Sequence, residues 1–198
     1  MAIINKPAGI LVSGNSFATI YNALPLHITK STQPDAIRSK PVHRLDYPTS
    51  GLLLIGKTNQ SVSALHRLFE ERKIKKVYHA ITIGTLADSG LISTPIDSKQ
   101  AVTQYNILRS VASDRFGCLN LVQLRPKTGR KHQLRKHLFN NGSPILGDRT
   151  YFQDNLLLTG HGLYLHASSL EFKHPITNVL ISVTQALPKK FNTIFSST

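Results

Sequence analysis

The sequence predicts an α+β fold: a mixed, largely antiparallel β-sheet core with helices packed on it. Three observations lead there. Segments that alternate like strands, or form short apolar runs, outnumber those with helical periodicity. The turns between them are mostly hairpin-like, as at Ser113-Asp114-Arg115-Phe116-Gly117 and Pro175-Ile176-Thr177-Asn178. The clearest helical segment carries an apolar stripe on one face, which must pack on something else. No repeat or low-complexity tract interrupts the pattern.

Taken in order, Ile3 to Val12 reads as extended chain broken by Pro7 and Gly9. Ser16 to Leu24 predicts a short helix with Ser16 as its cap and Pro25 at its end. Lys30 to Lys40 is polar and loop-like, and Leu52 to Ile55 is a short, wholly apolar strand. Thr58 or Asn59 then caps a helix reaching Arg72, with Val62, Leu65, Leu68 and Phe69 as its stripe. Val77, His79, Ile81 and Ile83 alternate with Tyr78, Ala80 and Thr82, the pattern of a strand. Ala101 to Leu108 and Cys118 to Arg125 are two further strands. Thr128-Gly129 opens a helix from Arg130 to Phe139, closed by Asn140-Asn141-Gly142. Leu163 to Phe172 and Val179 to Val183 form a terminal hairpin.

With 198 residues, 40% of them hydrophobic, the chain can bury a sizeable core. It is expected to be a single domain over residues 1–198, compatible with two lobes about a central cleft. No apolar run approaches the roughly 18 residues of a membrane span. Met1 to Ala8 lacks the form of a signal peptide, and Cys118 is alone, which excludes a disulfide framework and a cysteine zinc site. An intracellular, cytoplasmic protein is expected. Ile3-Ile4-Asn5-Lys6-Pro7 reads as the end of a strand, so a little upstream sequence is expected to be missing.

Net charge is +14, from 24 Lys/Arg against 10 Asp/Glu. Such an excess calls for a polyanionic partner. The bases gather in Arg72-Lys73-Ile74-Lys75-Lys76 and across Arg125 to Lys136, interrupted at structural spacing as on folded elements. No basic amphipathic helix with a broad aromatic face is present, so nucleic acid is expected and a membrane is not.

His43-Arg44-Leu45-Asp46, then Thr49-Ser50-Gly51 and the run Leu52-Leu53-Leu54-Ile55, is the most informative segment. It sets a carboxylate beside an arginine in a turn braced by a strand, where it can be held rigidly and still reach a ligand. Most Asp, Ser and Thr residues in turns only bond local backbone, so the rest of the chain must decide. Gly51-Leu-Leu-Leu-Ile-Gly56-Lys57-Thr58 matches the letters of a phosphate-binding P-loop. Its four middle residues are large and apolar and belong in a core strand, not in an exposed loop of amides. The nine histidines do not have metal-site spacing: His132/His137 and His161/His166 are five apart, on different helical faces. No paired carboxylates of a two-metal nuclease appear. Lys127-Thr128-Gly129-Arg130-Lys131-His132-Gln133-Leu134-Arg135-Lys136-His137 is richer. Arg130, on a helix, would share a face with Leu134, His137 and Leu138, and a cation on a first turn opposes the helix dipole. Its placement calls for a nearby carboxylate or phosphate. Tyr78 lies mid-strand, where packing explains most tyrosines.

His43-Arg44-Leu45-Asp46-x-x-Thr49-Ser50-Gly51, Lys76-x-Tyr78, Thr128-Gly129-Arg130-x-His132-Gln133-x-Arg135-x-His137, Leu165-His166-Ala167 and His174-Pro175 occur in the order found in RluA-type pseudouridine synthases, with Asn5-Lys6-Pro7-Ala8-Gly9 ahead of them. The chain resembles that family over nearly its whole length. Ala101-Val102-Thr103-x-Tyr105 and Pro126 to Gln133 look most like its tRNA pseudouridine synthase C branch. The resemblance implies the family's catalytic fold without a separate N-terminal RNA-binding domain. It implies isomerisation of a uridine in structured tRNA or rRNA to pseudouridine, without cofactor or metal, by a protein expected to be monomeric. Asp46 becomes the catalytic carboxylate, as nucleophile or base; Arg130 pairs with it, and Tyr78 lies against the uracil. Arg44 fills the space of the extruded base or holds the distorted backbone, and Arg72, Lys73, Lys75, Lys76, Lys127, Lys131 and Arg135 are the other expected RNA contacts. The rival expectation is a non-catalytic RNA-binding module on the same fold.

Overall fold

The computed structural model describes residues 1–196; Ser197 and Thr198, the end of the expected domain, lie outside the described residues. In chain order the elements are β1 (Ala2–Lys6), α1 (Ile20–His27), β2 (Ala36–Pro41), β3 (Ser50–Thr58), α2 (Asn59–Glu70), β4 (Lys75–Ile83), β5 (Ser89–Ile92), β6 (Thr103–Ser113) and β7 (Gly117–Pro126). There follow α3 (Gln133–Asn140), a 3-10 turn at Asp154–Leu156, β8 (Leu165–Lys173), β9 (Leu180–Thr184) and α4 (Lys189–Thr193). Strands outnumber helices and the strand pairings with defined register are antiparallel, as the sequence predicts.

The described residues divide into two compact units, one formed by Met1–Lys75 with Ser169–Gln185, the other by Lys76–Ser168 with residues 186–196. In the first unit β3 pairs with both β1 and β2, and β8 pairs with β9. Leu53, Leu54 and Ile55 of β3 are fully buried, which is why this strand is apolar without alternation. The strand ends in the cap of α2: Thr58 Oγ1 accepts from Ser61 N and Ser61 Oγ accepts from Thr58 N, a reciprocal capping box. Val62 and Leu65 then pack with Val42, Leu52, Leu54, Ile74, Leu170 and Phe172 as this unit's core. A Cβ at Gly56 would run into the Val62 side chain. The Gly51–Thr58 segment is thus strand, close packing and helix cap, with no P-loop.

Two expectations need correction in this unit. Ala36–Pro41, expected as loop up to Lys40, is a strand that pairs with β3 at Lys40↔Gly56 and Pro41↔Ile55 after an irregularity; its polar sequence reflects a broken pairing in which Arg38 is exposed. α1 begins at Ile20, not Ser16, because Thr19 is the cap: its Oγ1 accepts from Asn22 N. Pro25 lies inside this helix rather than at its end.

The second unit is built on the order β4-β7-β6-β5, with Tyr78 opposite Leu124 and Tyr105 opposite Leu124 on the other side of β7. Ala80, Ile81, Val122, Leu124, Leu138 and Leu146 are fully buried and join Phe191 of α4 in its core. β5 escaped the sequence reading because it is short and exposes Leu91. Arg130 was expected to begin α3, which instead starts at Gln133; His132 before it takes a left-handed φ of 54°. Arg130 therefore lies in the irregular stretch ahead of the helix.

Candidate active site

In the first unit the Asp46 turn is fixed from several directions. Thr49 N donates to Asp46 O at 3.0 Å, closing the turn. Tyr47 O accepts from Gly9 N at 2.8 Å and from Lys6 Nζ at 3.4 Å. Leu45 and Thr49 are buried, Asp46 is half-buried, and Arg44 and Tyr47 are exposed. Alternation of buried and exposed side chains thus anchors the turn while keeping the carboxylate within reach of solvent. His43 Nε2 accepts from Leu54 N at 2.9 Å, tying the motif to β3, and its ring lies 4.7 Å from that of Phe69.

Lys6 is the unexpected member. Its side chain is fully buried, and Nζ donates to Pro7 O at 2.8 Å and Ile10 O at 2.9 Å besides Tyr47 O. Burial pulls its ammonium down to about 8, against the attraction of the Asp46 carboxylate. The sequence offered Lys6 only as a letter of a motif; a lysine at a strand end before proline carries no periodic signal of burial.

In the second unit Tyr78 is half-buried on β4 and packs against that unit's core. Its neighbour His79 bonds through Nδ1 to Ser168 Oγ at 2.8 Å, and that hydroxyl donates to Val77 O at 3.1 Å. The hydroxyl proton is thereby used, so His79 Nδ1 carries the donated hydrogen. Burial lowers the His79 pKa, helped by Arg125, and burial with His79 nearby pushes His166 down to about 4. Both imidazoles are neutral at pH 7.

The Thr128–His137 motif is stitched by the buried amide of Gln133. Its Oε1 accepts from Thr128 Oγ1 at 2.7 Å and Arg130 N at 3.0 Å; its Nε2 donates to Val102 O and Thr103 Oγ1, each at 3.0 Å. Arg130 is half-buried, and its Nε donates to Gln100 O at 3.0 Å. His137 is fully buried between Thr103 Oγ1 and Thr94 O, a structural histidine whose pKa is lowered by burial.

Arg135, one of the expected RNA contacts, is buried rather than exposed. It is 4% exposed and forms a bidentate pair with Asp148, itself 0% exposed: Nε to Oδ2 and Nη2 to Oδ1, both 2.7 Å. Asp148 Oδ1 also accepts from Thr150 N and Tyr151 N. A bidentate, buried pair of this kind costs several kcal/mol to break. The remaining expected contacts lie on the surface, except the half-buried Lys76. Lys73 is paired with Glu71 and Lys75 with Glu171, each at 2.7 Å; Arg72 closes α2 in a left-handed conformation.

Comparison with known proteins gives this arrangement its context. The model of the RNA pseudouridylate synthase family matches residues 1–140, which hold the Asp46, Tyr78 and Arg130 motifs. Ribosomal large subunit pseudouridine synthase C of Rickettsia bellii is 35% identical over 96% of this chain and 67% of its own length. The tRNA pseudouridine synthase C of Haemophilus ducreyi is 34% identical over 98% of this chain and 90% of its own. Human RNA Pseudouridylate Synthase Domain Containing 4 superposes with a TM-score of 0.73 at 27% identity, covering 96% of this chain and 86% of that one. The chain belongs to the RNA pseudouridylate synthase family. It is an isomerase, an RNA pseudouridine synthase, and its partner is RNA. Relatives named for rRNA and for tRNA match it about equally, so identity does not choose between those substrates. No helix among the described residues is long and apolar enough to cross a membrane.

Proposed function

We propose that the protein converts a specific uridine of structured tRNA or rRNA to pseudouridine, acting as a single-domain cytoplasmic monomer with Asp46 as its catalytic carboxylate. The N1–C1′ bond breaks, the base turns, C5 bonds to C1′, and the C5 proton leaves while N1 regains one, so the reaction is a balanced isomerisation. The observation that carries the reading is the Asp46 turn: a half-buried carboxylate on backbone pinned by Thr49, Gly9 and Lys6, inside the matched part of the chain. A rigid carboxylate suits either attack at the sugar or removal of a proton. Tyr78 lies against the uracil and assists proton loss at C5. Arg44 fills the space of the extruded base or holds the distorted backbone, removal of the base from the stack costing a few kcal/mol. Arg72, Lys73, Lys75, Lys76, Lys127 and Lys131 supply phosphate contacts that offset it. No cofactor or metal has a part in these steps.

The resemblance gives Arg130 the task of holding Asp46 ionised. Arg130→Gln tests this role: the single-turnover rate should fall in a protein that still melts cooperatively.

Asp46→Asn tests the central assignment. Asn keeps the size and turn bonding of Asp but is neither an effective nucleophile nor a base. Pseudouridine formation, measured by tritium release from C5-labelled RNA, should vanish while RNA binding persists. Turnover at a substantial fraction of the wild-type rate in the folded variant would remove Asp46 from the mechanism. It would also leave the RNA-binding reading of this surface in its place.

A further inference from the structure

The segment between β1 and α1 displays a side chain that the fold does not use. Ser13 to Ala18 are exposed, and Phe17 is 92% exposed. Yet the backbone that carries it is well held. Phe17 O accepts from Thr19 N and from Asn22 Nδ2, both at 3.0 Å. The ends of the loop are buried at Val12 and Thr19, and they are joined by Ile20 N to Leu11 O and Tyr21 N to Val12 O. A phenylalanine held this firmly in water forgoes burial that its size would reward.

Beside it stands a cation of matching character. Arg38 of β2 is exposed; its Nη2 donates to Oδ1 of the same Asn22 at 3.4 Å, and its Cζ lies 4.6 Å from the Tyr21 ring centroid. Among the described residues Arg38 forms no ion pair. One amide therefore ties the backbone that carries the exposed aromatic to an exposed guanidinium that lies over a ring. Single-stranded nucleic acid is recognised by aromatic platforms for bases beside cations for phosphate. The root of this loop also meets the Asp46 turn: Lys6 Nζ bonds both Ile10 O and Tyr47 O.

We infer that Phe17 and Arg38 form a docking site for single-stranded nucleotides of the substrate RNA, Phe17 stacking on a base and Arg38 meeting a phosphate. The inference rests on the RNA substrate of the proposed function, and the positive charge of the chain, +14, complements that occupant.

The test is fluorescence anisotropy with a labelled single-stranded RNA oligonucleotide of mixed sequence, on full-length variants with unchanged melting curves. Phe17→Ala should weaken binding by roughly 5–150-fold, the range for losing one base stack. Phe17→Tyr should keep wild-type affinity, because the ring remains. Arg38→Gln should weaken binding and flatten the salt dependence by about 0.7 in log–log slope, one phosphate contact. Leu180→Ala, at another exposed apolar position, should bind as wild type. Wild-type affinity in Phe17→Ala, or equal losses in Phe17→Ala and Phe17→Tyr, would overturn the inference. So would Phe17-dependent binding to phosphatidylglycerol vesicles without an effect on RNA, or Phe17-dependent self-association in sedimentation. If wild-type protein made pseudouridine but Phe17→Ala bound normally, this site would fall and the proposed function stand. If wild-type protein modified no RNA, the reverse would hold for a Phe17-dependent oligonucleotide affinity.

Discussion

Replacing Lys6 by Met should change how stability depends on alkaline pH more than it changes stability at pH 7. Lys6 is fully buried, and its ammonium is brought from the ordinary 10.5 to about 8 by burial, partly offset by Asp46. Between those values the unfolded chain holds the proton and the folded protein does not. Stability then rises with pH across the window, by roughly 3 kcal/mol at 1.36 kcal/mol per tenfold change in proton concentration. At pH 7 the same displacement is a penalty on the folded state, which Met would relieve. Met also strips Pro7 O and Ile10 O of a donor, at about 1–3 kcal/mol for each buried acceptor left unsatisfied. These terms oppose, so the neutral-pH loss should be small, on the order of 0–3 kcal/mol. The informative quantity is the gap between wild type and Lys6→Met in urea unfolding from about pH 7 to about 10.5. It should widen in favour of wild type by up to roughly 3 kcal/mol, or roughly 6–12 °C in melting temperature for a chain of this size. The lowered Lys190 and raised Tyr164 titrate in both proteins and cancel in the difference. A gap that stays constant or narrows with pH would refute a buried, depressed Lys6 and the clamp on Tyr47 argued from it.

Asp148→Asn should lower stability by about 3–5 kcal/mol in calorimetry, because Arg135 is left buried without its bidentate carboxylate; a change under 1 kcal/mol would mean that the pair is replaceable. Tyr78→Phe should melt and bind RNA as wild type but slow single-turnover pseudouridine formation by about 10²–10⁴-fold, the usual weight of an acid–base group. Near-normal turnover would reduce Tyr78 to packing or stacking. Log affinity for RNA should fall with log salt at a slope of about −3 to −6, reflecting several phosphate contacts at roughly 0.7–0.9 each; a flat response would assign the basic surface to something else.

The parts of this fold that were legible in the sequence are those whose local chemistry and tertiary setting agree. β3 is buried on both faces and reads as an unbroken apolar run; α2 has both its cap and its stripe in the sequence. β2 was illegible because an irregular, polar strand has the composition of a loop until its partner is known. The start of α3 was misplaced because His132 takes a left-handed conformation and Gln133 bonds Arg130 N through its side chain. Neither feature leaves a trace in periodicity. Asp46 stood out because acids are scarce, at 10 in a chain of 198. The same scarcity, followed further, sorts the bases. Asp148 claims Arg135 in the interior, while Glu71, Glu171 and Asp97 hold Lys73, Lys75 and Lys136 at the surface. Surface pairs contribute about 0–1 kcal/mol, so Lys73 and Lys75 are held only weakly. A buried bidentate pair does not break at that cost. The second basic cluster therefore has Arg135 in the interior and Lys127 and Lys131 at the surface, a distinction that depends on an aspartate thirteen residues away and was hidden in the charge count.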